Sequence, residues 1–422
     1  MKTIVEPAYE TPLVSFQISS RTGTVNEPLG KEGLVCHAAE LGMRGTQNLS
    51  RAEFDEKIDS LGASMCFSFR RDSMALSATC LHRHLDTVFS LAVDVLSSPT
   101  LSGDEHEKLQ RESLSDLDEM RDSDAALAAR YFNRHFHPGY IYCRTAIGTE
   151  RTISELTLEE VRELYPRLFP DSNLVLGIAG PISESDAEAL AATLPASGGS
   201  ALPLPDLTPP QGPSGRRLIL VDKPGRKQCQ VAMGHLMPAY GSDRFDALRV
   251  AEVAFGGMFS SRLMQEIRVN QAWSYGASCN IYQARGRHAL CITMAPAAEV
   301  CPAAIAKVME MYTGLHANGI TADEFDFTRS YLVGSAAFSR ATPTQRLYGQ
   351  IQEELYSLPK GYGDGFAQRI KALDLSRVNA ALAESTKPKD LCVVVVASAD
   401  TALAKLETLG FDSVEVVDYT SY

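Results

Sequence analysis

Apolar and polar positions recur in the same order in two stretches of this chain. Residues 13–19, Leu-Val-Ser-Phe-Gln-Ile-Ser, alternate with the period of two of a half-buried strand, and residues 218–221, Leu-Ile-Leu-Val, form a short apolar run of strand length. Each is followed by two helical patterns, 33–42 and 51–61 in the first stretch, 243–255 and 261–269 in the second. A strand pair comes next, 63–69 with 73–80 and 277–282 with 288–294. Long amphipathic helices follow, 81–97 and 303–318, and each stretch closes on a compact apolar strand, 174–179 and 391–397. Strands grouped with long helices, rather than strict βαβ alternation, predict α+β layers.

One composition break divides the two stretches. Residues 197–215 are rich in Pro, Gly and Ser and poor in periodic apolar positions, which reads as a linker. The expected organisation is an N-terminal domain over 1–196, the linker over 197–215 and a C-terminal domain over 216–422. At 422 residues the chain is too long for one ordinary domain, and 45% hydrophobic with 22% charged residues suits folded cores. A net charge of −12 argues against a nucleic-acid footprint and against an anionic membrane surface. No apolar run reaches transmembrane length, and the start has no apolar core of signal-peptide length. The expected location is cytoplasmic, or periplasmic where a signal peptide has been removed. The nine cysteines are an odd, scattered number without a C-x-x-C pair, which fits reduced thiols.

The densest chemical pattern is the run Phe255-Gly-Gly-Met-Phe-Ser-Ser-Arg-Leu-Met-Gln-Glu-Ile-Arg-Val-Asn-Gln-Ala-Trp-Ser-Tyr275. A tyrosine hydroxyl can donate to the oxyanion formed when water attacks a peptide carbonyl. An arginine can fork onto backbone carbonyls and fix a peptide's register. Spacing alone favours reading Arg268 and Tyr275 as a helix-end arginine and a strand tyrosine with packing roles. The surrounding Gly-Gly, Ser-Arg-Leu and Ile-Arg context resembles the second-half signature of the pitrilysin/insulinase family of zinc peptidases. That resemblance implies two homologous α+β domains, each a sheet packed with helices, and a substrate-holding role for Arg268 and Tyr275. Ala272 stands where the family usually has glycine.

The family's first-half signature is an inverted zinc motif, H-x-x-E-H, whose two histidines share one helical face. The matching stretch here is Gly33-Leu-Val-Cys-His-Ala-Ala-Glu-Leu-Gly-Met-Arg-Gly-Thr46. Its first histidine slot holds Cys36, its general-base slot Ala39 and its second histidine slot Glu40; the third-ligand slot falls on Asp116. One reading is a decayed site. The other is a non-standard metal site of Cys36, Glu40 and Asp116, against which Ala39 counts, since it cannot accept a proton. His37 points about 100° away around a helix and does not replace the lost ligand.

In the small members of this family, two chains pair, one carrying H-x-x-E-H and the other supplying the Arg/Tyr pair. The resemblance therefore implies a non-catalytic, substrate-binding subunit of a heterodimeric zinc metallopeptidase acting on unfolded peptides. It implies no cofactor in this chain, zinc in the partner, and no activity for this chain alone. The alternative is a peptide-binding or scaffold protein without peptidase activity, like the core subunits of a respiratory complex. An autonomous metallopeptidase using the unusual ligands is a third.

Overall fold

A computed structural model of the chain describes residues 1–194 and 201–421. The first residues of the expected linker, 197–200, lie outside them, and 201–214 carry no regular secondary structure. The described chain forms two compact units, each built on one mixed sheet packed with helices. This is the α+β class that the grouping of strands predicts.

In the first unit, strands β1 (Lys2–Pro7), β2 (Leu13–Ser20), β3 (Ser64–Phe69), β4 (Met74–Leu81) and β5 (Leu174–Gly180) lie in the order β1-β5-β2-β4-β3. The β1/β5 pair is parallel and the remaining pairs are antiparallel. Alternation decides the faces. Val14, Phe16 and Ile18 of β2 and Leu76 and Ala78 of β4 point into a core with the helices Leu34–Gly42 and Leu85–Ser97. On the opposite face of β2 and β4, Ser15, Gln17, Ser77 and Thr79 are half-buried. Strand β5 is buried along its whole length and needs cover on both faces.

The second cover for β5 comes from far along the chain. Residues 337–364 belong to this unit, and their helix Pro343–Leu355 lies on β1 and β5. Pro343 opens it, and Thr342 caps it by accepting from the Gln345 amide at 3.2 Å. Leu347, Ile351 and Leu355, spaced by four on one helix face, pack on Val175 and Ala179. Full burial of each such side chain is worth about 1.5–3 kcal/mol. Polar anchors fix the register: Arg346 and Gln350 both donate to Glu6, at 2.6 and 2.9 Å, while Glu354 pairs with Lys2 and Arg21. Gly177 of β5 lies directly beneath, where an added Cβ would stand 2.5 Å from Ile351 Cδ1.

The second unit repeats the plan. Strands β6 (Arg217–Asp222), β7 (Gln230–Met237), β8 (Ala277–Ile281), β9 (His288–Met294), β10 (Cys392–Ala397) and β11 (Ser413–Asp418) run in the order β11-β6-β10-β7-β9-β8. Strands β6, β10, β7, β9 and β8 take the places of β1, β5, β2, β4 and β3, and β11 adds a parallel edge strand. One face meets the helices Phe245–Glu252 and Cys301–Asn318 in the larger core. The other is covered by the helix Asp124–His135, since residues 118–145 belong to this unit. Lys223 Nζ reaches Asp124 at 2.7 Å, Tyr131 donates to the Asp418 carbonyl at 2.7 Å, and Arg217 donates to the His135 carbonyl at 2.9 Å. A glycine again marks the contact: an added Cβ at Gly234 would stand 1.7 Å from the Leu290 carbonyl oxygen and 3.2 Å from Phe132 Cζ.

The two glycines should therefore tolerate substitution unequally. Gly177→Ala meets the movable end of Ile351, whereas Gly234→Ala meets a backbone carbonyl. Overpacking typically costs about 1–3 kcal/mol. Chemical denaturation should place Gly234→Ala near or above the top of that range and Gly177→Ala near the bottom. Equal, wild-type stability for both would show that these contacts are slack.

Candidate functional site

The helix that carries Arg268 is not an ordinary α-helix. Helix Phe245–Glu252 passes into a π-helical segment, Val253–Gly257, and the following helical segment is π-helical over Met264–Asn270. The wider turn is seen in the bond from the Gln271 amide to the Glu266 carbonyl, at 3.0 Å. Within the first segment, Gly256 lies so close to β8 that an added Cβ would stand 2.6 Å from Cys279 Cβ. The chain then turns through Ala272, whose φ of 52° is left-handed, and enters β8. Ser274 pins this turn: its hydroxyl donates to the Gly276 carbonyl at 2.7 Å and accepts from the Ala295 amide at 3.0 Å.

The result is a close pairing of the two residues singled out in the sequence. The Arg268 guanidinium carbon stands 4.8 Å from the Tyr275 ring centroid and 4.9 Å from that of Phe259. Tyr275 is 87% exposed and Phe259 63% exposed. Among the described residues neither Arg268 nor the Tyr275 hydroxyl has a hydrogen-bond or ion-pair partner. Glu266, on the same helical segment, is engaged by Asn270 and Gln271 at 2.9 and 2.8 Å. The cluster thus offers a free guanidinium fork and a free phenolic donor at the surface, ordered by cation–π contacts worth about 0.5–1 kcal/mol. Phe259 was missed because an exposed phenylalanine carries no signal of its own; its place in the Gly-Gly-Met-Phe turn is the clue.

A buried carboxylic acid immediately precedes the first π-helical segment. Glu252, the last residue of the α-helical part, is 2% exposed and paired with Arg249. Burial outweighs that pairing and pushes its carboxyl up to about 7. Its other oxygen has no hydrogen-bond partner among the described residues.

The metal-motif slots lie on the helix Leu34–Gly42 in the first unit. Glu27 caps this helix, accepting from the Gly33 and Val35 amides at 3.2 and 2.8 Å. Cys36 is buried and donates to the Ala146 carbonyl at 3.4 Å; burial first, then Glu27 and Glu40, hold the thiol well above its ordinary value. Ala39 is fully buried in the apolar core. Glu40 and Asp116 are exposed, and the Glu40 carboxyl is raised by partial desolvation, against Arg44 and with Asp116 and Glu112. Among the described residues no three His, Cys, Asp or Glu side chains gather as metal ligands would. The slots therefore do not fit a zinc centre within this chain.

His37 turns into the interior instead. Its Nε2 lies 2.9 Å from His106 Nδ1, with the rings edge-on at 4.9 Å. One ring donates and the other accepts, and the tautomers set which. Burial lowers His37 to about 3, which keeps the pair neutral. This pair was missed because His106 lies in a charged helix, Gly103–Glu119, whose sequence reads as a solvated face.

Two mixed α+β sheets, one with a degenerate inverted-motif helix and one with an Arg/Tyr turn, define a metallopeptidase-like protein. Residues 3–137 match the model described as Insulinase (Peptidase family M16), and residues 155–332 match that of the Peptidase M16 inactive domain. The chain belongs to peptidase family M16, the pitrilysin/insulinase family, and is a homologue of its inactive type. It is 20% identical over 402 residues to the Non-peptidase homolog YmxG of Helicobacter pylori, covering 94% of this chain and 91% of that protein. It is 26% identical over 287 residues to an uncharacterized zinc protease of Streptomyces coelicolor, covering 65% of this chain and 61% of that protein, short of two thirds of its length. A solved peptidase M16 inactive domain from Pseudomonas fluorescens shares the fold, with a TM-score of 0.85 at 19% identity over 99% of this chain and 96% of that one.

Two stability measurements follow from the turn and from the buried Glu252. A left-handed non-glycine residue costs about 1–2 kcal/mol, so Ala272→Gly should raise the melting temperature by relieving part of that strain. A fall would show that Ala272 is unstrained. The protonated Glu252 contributes stability that is fully present below its ordinary value of 4.5 and lost as pH rises through about 7. Glu252→Gln should therefore gain stability relative to wild type at about pH 8 and lose that advantage at about pH 4. A pH-independent difference would contradict the raised carboxyl.

Proposed function

We propose that this chain is the non-catalytic, substrate-binding subunit of a heterodimeric zinc metallopeptidase that cleaves unfolded peptides. The observation that carries the reading is the Arg268–Tyr275 cluster. The fold spends a π-helical segment, a close glycine contact and a left-handed alanine on ordering two exposed polar groups that have no partner among the described residues. A structural arginine or tyrosine needs none of this. The zinc and general base belong to a partner with an intact H-x-x-E-H motif, where the metal supplies the activated water. In that assembly Arg268 holds a peptide carbonyl by its fork, and the Tyr275 hydroxyl donates to the oxyanion as the scissile carbonyl becomes tetrahedral. The peptide itself adds as a strand to a sheet edge of the partner.

The reading makes two kinetic demands. Co-purification with a chain bearing H-x-x-E-H should yield a complex burying more than about 1,000 Å². In steady-state assays of that complex, Tyr275→Phe should lower kcat by about 10²–10³, the usual loss for one oxyanion donor. Arg268→Lys should impair turnover as well, because an ammonium cannot reproduce the fork. Wild-type kinetics for both variants, with unchanged melting curves, would reduce the pair to a structural feature and end the proposal.

A further inference from the structure

The open face of the first sheet carries a second constellation. Helix Pro343–Leu355 covers β1 and β5 but leaves the polar face of β2, β4 and β3 uncovered beside it. A cavity of about 470 Å³ lies there, lined by Gln17, Ser68, Arg70, Ser77, Tyr348 and Gln352 among others. A second, of about 310 Å³, shares Gln17, Ser77 and Tyr348 with it and continues past Ser15 and Thr79. The two form one trough along the strands, and the larger falls within the size of ligand pockets.

Charge in this trough is confined to one end. Among the described residues lining the two cavities, Arg70 is the one charged side chain; the rest are hydroxyls, amides and apolar groups. Arg70 donates to the Tyr348 hydroxyl, with its guanidinium carbon 5.7 Å from that ring centroid. No carboxylate among the described residues pairs with it. The acids of the covering helix are committed elsewhere: Glu354 to Lys2 and Arg21, Glu353 to the Gly361 and Gly363 amides at 2.8 Å. An arginine oriented by a tyrosine and lacking an acid is the arrangement that receives a carboxylate through paired, charge-assisted hydrogen bonds.

We propose that this trough binds the C-terminal end of an extended peptide, with the terminal carboxylate on Arg70. A single cation favours one carboxylate over a polyanion. The neutral continuation past Gln17, Ser77, Ser15 and Thr79 offers donors and acceptors to a following main chain, which a small acid does not need. Tyr348 acts as a positioning residue for the guanidinium. The site stands independently of Arg268 and Tyr275, and its binding is read on this chain alone.

The test is fluorescence anisotropy of the full chain with a short unstructured peptide labelled at its N-terminus, in free-acid and C-terminally amidated forms. The free acid should bind at least about tenfold more tightly, the scale of one charge-assisted bond. Arg70→Gln should abolish that preference and Tyr348→Phe should reduce it. Melting curves check folding; Arg70 is exposed, so its loss should not unfold the unit. Equal binding of acid and amide, or a preference that survives Arg70→Gln, overturns the proposal. So does full competition by N-acetylglycine at the peptide's own concentration, since that marks a small-acid pocket. Failure of the free-acid peptide to bind at millimolar protein overturns it too.

Discussion

The structure depends on covering two strands from both sides. β5 and β10 are buried along their entire lengths, and one layer of helices cannot dry both faces of a sheet. Each sheet therefore takes its second layer from the distant part of the chain: Pro343–Leu355 for β5, Asp124–His135 for β10. Glycines at the contacts, Gly177 and Gly234, let the helices settle close to the strands. That cover also decides what is left open. Because the borrowed helix in the first unit sits over β1 and β5, the polar faces of β2 and β4 become the floor of a trough.

The residues at the inverted-motif slots and beside them take part in packing and local hydrogen bonds. Ala39 lies in the apolar core, Cys36 bonds a backbone carbonyl, and His37 forms a neutral pair with His106. The motif helix keeps its glycine start and its Glu27 cap, so its position survives without ligands to hold it. The Arg/Tyr turn shows the opposite balance. Its backbone holds a left-handed alanine, and among the described residues its two polar ends have no partner.

Much of the fold was legible in the sequence. Alternation at residues 13–19 and the apolar runs at 174–179 and 391–397 located strands within a residue or so, because a half-buried or doubly buried strand has little freedom in its pattern. The exchange of helices was not legible. Leu347, Ile351 and Leu355 announce an apolar helix face, yet nothing local says which sheet it meets; glycine inside the apolar strand β5 is a faint sign of close approach. The π-helical turns were hidden too, since an added residue shifts the apolar phase only over short segments, 253–257 and 264–270, where the period is poorly defined. The Arg268–Tyr275 spacing is visible in the sequence, while their stacking depends on Ser274, Gly256 and the left-handed Ala272, which only the folded turn explains.

The borrowed helices have a further consequence for the chain as an object. A cut in the irregular stretch 201–214 severs the one covalent path between the two halves of the sequence. It does not produce two self-sufficient pieces, because residues 118–145 and 337–364 each belong to the unit built mainly by the other half. Either fragment by itself has a bare strand face where its missing helix belongs. The nicked molecule is thus a pair of complementing fragments, and two separately synthesised halves should find each other only by folding together.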